Sequence, residues 1–220
     1  MGRGVTCIMV TGHIPARRPL ALLAIESFKR QTYEDRFLVI VNQSPETVVP
    51  FNIPHPLIRE VLCETRSGIL GNLLNIGLDN TSTPFMAIFD DDDWSRADRL
   101  AYQMSFMNDD VDFVGLRRSV CYDWDTKKSY IRHTVGGGSI YRLAHQRYTP
   151  QTFGVDTVFD RQFTNKIMLD NDPDIYVRGC HDTNVCGRQH VLSGNTPIVA
   201  SAEIEKMLKT FDSLNYARFL

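Results

Sequence analysis

Four consecutive aspartates, Asp90 to Asp93, follow the apolar run Phe85-Met86-Ala87-Ile88-Phe89 and precede Trp94. The five apolar residues read as a short, fully buried strand. The carboxylates then crowd its C-terminal end, where like charges repel unless something cationic sits among them. In an α/β sheet that end of a strand is where ligands bind. Hard carboxylate oxygens suit Mg²⁺ or Mn²⁺. The bland alternative is a solvated acidic turn, but a turn needs no buried strand leading into it.

The rest of the first half supplies the sheet this strand would join. Val5 to Val10 reads as a buried first strand, and Thr11 to Ala16 as a loop. Pro19 suits the first turn of a helix, and Leu20, Leu23, Ala24 and Phe28 share one of its faces. Phe37 to Val41 is a second strand ending at Asn42-Gln43-Ser44, which completes a βαβ unit with a parallel pair. Leu57 to Leu62 is a third strand. Gly68 to Asp79 is a helix with Leu70, Leu73, Leu74 and Leu78 inside. Ser95 and Asp98 have the spacing of a capping box for the helix after the acidic run. Asp112 to Leu116 is a strand. Cys121 to Trp124 and Ser129 to His133 make a hairpin, and Gly136 to Ser139 a flexible loop. Residues 143–180 lack a clean period and suggest only short helices. His181 to Arg188 reads as a short helix and Ala202 to Leu214 as another. The expected class is α/β, a mostly parallel central sheet with flanking helices in one domain, 1–220, whose halves are 1–107 and 108–220.

A net charge of −2 gives no global field toward nucleic acid or membrane. No apolar run approaches a membrane span, and no signal-peptide core precedes the first strand. Five scattered cysteines suggest reduced thiols and a cytoplasmic setting. No Gly-rich phosphate cradle is present.

The first strand, Gln31-Thr32-Tyr33, Asn75-Ile76-Gly77 and Phe89-Asp90-Asp91-Asp92-Asp93-Trp94 followed by Asp98-Arg99-Leu100 together resemble family 2 glycosyltransferases. The resemblance covers residues 5–107 most clearly. It implies a GT-A fold, a nucleotide-sugar-binding α/β sandwich. It places the Asp-x-Asp element on Asp90, Asp91 and Asp92, with Asp92 as ligand to Mn²⁺ or Mg²⁺. Thr11, Gly12 and His13 would line the nucleoside pocket. Asn42 and Gln43 stand where the family has an Asp that reads uracil; they can bond a base edge but carry no charge. Leu73-Leu74-Asn75 replaces the usual Ala-Arg-Asn, keeping Asn75. In Cys180-His181-Asp182-Thr183-Asn184-Val185-Cys186-Gly187-Arg188, Asp182 falls on the family's catalytic base and His181 replaces a Glu. His190 or Arg188 would finish the metal or diphosphate site. The implied donor is a UDP-sugar.

The chemistry these residues suit is inverting sugar transfer. A divalent cation on Asp92 would stabilise the leaving diphosphate, and Asp182 would take the acceptor's proton. Taken without the family pattern, Asp182 reads first as a helix N-cap; with the pattern, the base reading leads. Cys180, His181, Cys186 and His190 also admit a zinc reading, at a spacing unlike the usual fingers. Trp94 packs on the sheet or stacks on a sugar. Competing functions are nucleotidyl transfer to a sugar phosphate and non-catalytic nucleotide-sugar binding. The expected acceptor is a soluble glycan, a protein, a small molecule or a modified DNA base. Removing one charge from the run, as in Asp92→Asn, is expected to hold or raise the melting point.

Overall fold

The computed structural model describes residues 2–12, 14–43, 50–63, 69–133, 138–170 and 172–214. The chain opens with β1 (Val5–Thr11), a 3-10 turn (Pro15–Arg17) and α1 (Arg18–Lys29). Then come β2 (Arg36–Gln43), β3 (Ile58–Cys63), α2 (Leu70–Asp79), β4 (Phe85–Ile88), β5 (Trp94–Ser95) and α3 (Arg99–Ser105). The second half holds β6 (Phe113–Leu116), β7 (Ser119–Asp123), β8 (Lys128–Arg132), β9 (Ile140–Arg142), α4 (Val155–Asp160) and β10 (Lys166–Leu169). It closes with β11 (Tyr176–Cys180), α5 (Arg188–Leu192), β12 (Thr196–Ile198) and α6 (Ala202–Ser213).

A seven-stranded sheet runs β10-β6-β9-β4-β1-β2-β3. Strands β4, β1, β2 and β3 are mutually parallel, as is the β10–β6 pair, and only β9 runs against its neighbours. Period-two alternation in β1 explains its two-sided core. Val5, Cys7 and Met9 pack with Ala24, Phe28, Leu100 and Met104 of α1 and α3. Ile8 packs on the other face with Leu74 and Leu78 of α2 and Val155 and Phe159 of α4. The second sheet runs β12-β8-β7-β11-β5, and Leu23 of α1 joins Ile204 and Met207 of α6 in packing on it. The parallel strands of the larger sheet thus bring the ends of β1, β2 and β4 to one edge, and β11 closes over that edge from the second sheet.

Three local expectations are corrected. Ser95 is the second residue of β5, not a helix cap; its Oγ accepts from Arg99 Nη1 at 2.9 Å. Asp98 does sit at the start of α3, but its carboxylate pairs with Arg96, and its side chain makes no cap bond. Residues 181–187 are turns, and the helix begins only at Arg188, so Asp182 caps nothing. Residues 143–180 hold two strands, β10 and β11, besides short helical turns. The expected strand and helix positions elsewhere agree within one or two residues, except that Gly68, Gly136 and Gly137 lie outside the described residues.

Candidate active site

Strand β4 ends at Ile88, and buried Phe89 leads into the acidic turn. What fixes the turn is Arg99, fully buried on α3. Its guanidinium donates to the Ile88 carbonyl at 3.0 Å, to Ser95 and to Gln103, and it lies over the rings of Phe89 and Tyr176. The strand end therefore cannot slide along the sheet without breaking a buried charge-assisted network.

The four aspartates point to different partners. Asp91 and Asp92 both pair with Arg17, the Asp92 contact at 2.7 Å. The Thr11 hydroxyl also bonds Asp91. Asp92 Oδ2 further meets His181 Nε2 at 3.1 Å and accepts from Asn184 Nδ2 at 3.0 Å. Asp93 accepts from the Tyr176 hydroxyl and from the Gly179 backbone N–H at 2.8 Å, so it belongs to the β11 seam. The Asp90 carboxylate makes no hydrogen bond or close ion pair among the described residues; Arg178, which lines the same cleft, is the cation that acts on it. Burial raises the carboxyls of Asp90, Asp91 and Asp93; Asp90 is further raised by Asp93, Asp156 and Asp92. Asp92 moves the other way. Burial pushes it up, but Arg17 and the His181 bond outweigh that and hold it at about 2.

These groups form one wall of a cleft of about 540 Å³. Leu70 and Leu74 of α2 form another wall, and Asp156 and Phe153 a third. Arg178 of β11 and the turn bearing Asn184 and Cys186 close the far side. Asp156 is raised to about 6 by burial and by Asp160. Arg17, Arg132 and Arg178 bring three guanidinium groups to the same space. A cleft holding both carboxylates and guanidinium groups can take an anionic ligand together with a cation.

The expected site residues fare differently. Asp90, Asp91 and Asp92 are together in the cleft. Thr11 stands behind Asp91. Gly12, at φ +106°, lies so near the end of β2 that a Cβ would come 2.1 Å from Asn42 Oδ1. Asn42 donates to Glu60 at 2.6 Å, and its buried Oδ1 has no partner among the described residues. Gln43 is buried beside it. His13 lies outside the described residues. Both amide atoms of Asn75 bond the Tyr148 backbone at 2.9 Å, and Asn75 is not among the cleft-lining residues. His190 reaches the cleft wall, but the histidine on Asp92 is His181. Arg188 faces Asp123 instead, at 2.7 Å. Asp182 is exposed and is not among the cleft-lining residues, although it directly follows His181. Trp94 is buried and packs on the second sheet. All five cysteines are free thiols, and no three His, Cys, Asp or Glu among the described residues come together as a metal cage.

Sequence reasoning passed over Arg17 and Arg178 as members of the wall around the turn, and it left Asn184 without a role although that residue stands in the quoted motif. Arg17 carried a signal: it lies in a basic pair shortly after the first strand, and the acidic run calls for a cation. Arg178 carried none, because β11 has no legible period.

The model of glycosyl transferase family 2 matches residues 17–171. No curated protein sequence matches the chain at a significant level. Among solved structures, S. aureus TarS 1-349 in complex with UDP-GlcNAc is similar, with a TM-score of 0.64 and 14% identity over 96% of this chain and 67% of that one. Another TarS structure gives a TM-score of 0.61 at 14% identity, and there the chain spans 43% of TarS. Rv0371C of Mycobacterium tuberculosis in complex with manganese gives 0.51 at 11% identity, over 95% of this chain and 100% of that one. At these identities the likeness establishes the architecture, a mixed α/β unit with a mostly parallel sheet. Among the described residues no helix is long and apolar enough to cross a membrane.

Proposed function

The chain belongs to glycosyl transferase family 2, and on that premise we propose that it moves a sugar from a nucleotide-sugar donor to an acceptor hydroxyl with inversion. The observation that carries this reading is the cleft at the end of β4, where the acidic turn and three guanidinium groups meet. A UDP-sugar is the donor best supported. Asn42 and Gln43 pack against Gly12 at the end of β2, and Asn42 Oδ1 has no partner among the described residues. Structures of TarS in complex with UDP and with UDP-GlcNAc support the same choice by analogy of fold.

A divalent cation fits the donor set. Arg17 already occupies a cation's place between Asp91 and Asp92, and the Asp90 carboxylate has no hydrogen bond or close ion pair among the described residues. Mg²⁺ and Mn²⁺ are commonly bound by one or two carboxylates plus substrate phosphates, so a preformed cage is not required. Asp92 and Asp90 would hold the ion, whose chemistry is to neutralise charge building on the leaving diphosphate. Arg178 supplies a fixed positive charge to the same cleft. His181 and Asn184 hold Asp92 in place. Asp182, one residue beyond the His181 that touches Asp92, is the proposed base for the acceptor hydroxyl. Exposed Phe153 at the cleft wall offers the acceptor an apolar face.

The experiment is a panel of nucleotide-sugars incubated with Mn²⁺ and candidate acceptors: soluble glycans, proteins, small molecules and DNA with hydroxymethylated bases. Acceptor-dependent release of nucleoside diphosphate is expected from at least one pair. Formation of nucleoside triphosphate and sugar 1-phosphate when pyrophosphate is added, or no product across the panel while donors bind, overturns the transfer reading.

A further inference from the structure

Arg17 ends the 3-10 turn after β1 and immediately precedes α1, so its backbone is fixed by the sheet and the helix together. Its side chain is only 8% exposed, and it pairs with both Asp91 and Asp92. Its Nε is buried and has no acceptor among the described residues. A guanidinium offers five N–H donors in a rigid fork suited to carboxylate or phosphate oxygens, and here part of that fork is unused. Asp92 Oδ2 is crowded by contrast, meeting Arg17, His181 and Asn184 on the same oxygen.

We propose that Arg17 is an internal counter-cation that a divalent cation displaces from Asp92, and that the freed guanidinium then binds the donor's diphosphate. The inference rests on the nucleotide-sugar reading above. The guanidinium sits 2.7 Å from Asp92 Oδ2, where a metal ion on the same oxygen would be a like charge at close contact. The two cations therefore exchange. A guanidinium that leaves the aspartates needs a new anion in the same cleft, and a diphosphate provides oxygens for its unused N–H groups. Conversely, a diphosphate that draws Arg17 away leaves Asp91 and Asp92 bare beside it unless a metal ion arrives. Each ligand alone leaves charge unbalanced, while both together balance it. Binding of the two is thus cooperative, and by linkage each tightens the other by the same factor.

Calorimetric titrations of Mn²⁺ and UDP, singly and together, test this in the wild type, Arg17→Gln and Arg17→Lys. The wild type is expected to bind each ligand at least about tenfold tighter when the other is saturating. Arg17→Gln removes the competitor, so Mn²⁺ alone should bind about tenfold tighter than to wild type, UDP with Mn²⁺ should bind about tenfold weaker, and the coupling should vanish. Arg17→Lys keeps the charge without the fork. It should melt near the wild type and retain weak Mn²⁺ binding alone with reduced coupling, which carries the test if Arg17→Gln does not fold. Unchanged Mn²⁺ affinity and unchanged coupling in Arg17→Gln, or in Arg17→Lys should that variant alone fold, overturn the proposal and leave the donor reading intact. Weaker Mn²⁺ binding in Arg17→Gln overturns it too, because Arg17 would then be only a support for the site. A wild type that binds neither UDP nor any other nucleoside diphosphate, with or without Mn²⁺, overturns the donor reading itself.

Discussion

Asp90 and Asp92 are two residues apart and should respond in opposite directions to the same change. Asp92 is held ionised by Arg17 and His181, so Asp92→Asn leaves a buried guanidinium with one carboxylate fewer. Removing one partner of a buried ion pair costs about 3 kcal/mol, which in a chain of this size lowers Tm by roughly 6–12 °C. That reverses the expectation, drawn from the acidic run alone, that any lost charge there relieves repulsion. The relief belongs to Asp90, which has no partner and feels Asp93, Asp156 and Asp92. Asp90→Asn should raise Tm by a few degrees at neutral pH without added metal. Thermal melts of the two variants in chelator decide it, and equal shifts would mean the partners assigned here do not govern the turn. The proposed base is tested by turnover. Asp182→Asn should cut transfer about a hundredfold or more with UDP affinity preserved, and an exposed side chain without a role would change neither. If that variant transfers normally while Asp156→Asn does not, the base is Asp156, which already lies in the cleft and is raised to about 6.

At the scale of elements, the site is a seam between the turn after β4 and strand β11. Gly179 makes the seam possible: a Cβ there would stand 2.1 Å from the Asp92 carbonyl oxygen, a backbone atom with no flexible end to yield. Gly179→Ala should therefore push the turn away from β11, destabilise the fold by about 1–3 kcal/mol and weaken UDP binding. A melt and a UDP affinity both equal to wild type would show that the turn can move at no cost. This seam also marks the limit of what the sequence discloses. Strand β4 and the βαβ unit before it are legible because buried parallel strands are continuous apolar runs bounded by turn residues. The helix faces of α1, α2 and α6 are legible from their period. Strand β11 is not, because Tyr176, Arg178 and Gly179 are placed by their partners across the seam: Asp93 for Tyr176 and Gly179, and the acidic cleft for Arg178. Ser95 misleads for a related reason. Its hydroxyl had the spacing of a cap, but the buried Arg99 claims it. Asn75 matches a motif position and yet spends both amide atoms on Tyr148, a contact 73 positions along the chain.

At the scale of the whole molecule, the carboxyls sort into two groups whose balance sets stability against pH. Asp90, Asp91, Asp93 and Asp156 are all raised above the ordinary carboxylate range in the folded protein, chiefly by burial. For such groups the unfolded chain ionises first, so their contribution is fully present below about pH 4 and is lost as pH rises through about 6 to 7. Asp92 and Asp123 are lowered to about 2, the latter by Arg188 and Thr126 overcoming its burial. Their contribution is present above about pH 4 and is lost as pH falls toward 2. From these groups, the protein without metal is expected to be most stable in mild acid at about pH 4 to 5 and to weaken toward about pH 8. A divalent cation acts on the first group by neutralising the ionised acidic turn. Mn²⁺ with UDP should therefore raise Tm strongly at about pH 8, where the turn is ionised, and little at about pH 5, where protons already do that work. Melts in chelator and in Mn²⁺ with UDP across this range measure both curves. A chelated protein that grows more stable from pH 5 to 8 would place the charge balance of the turn elsewhere, because ionising Asp90, Asp91 and Asp93 would then cost the fold nothing.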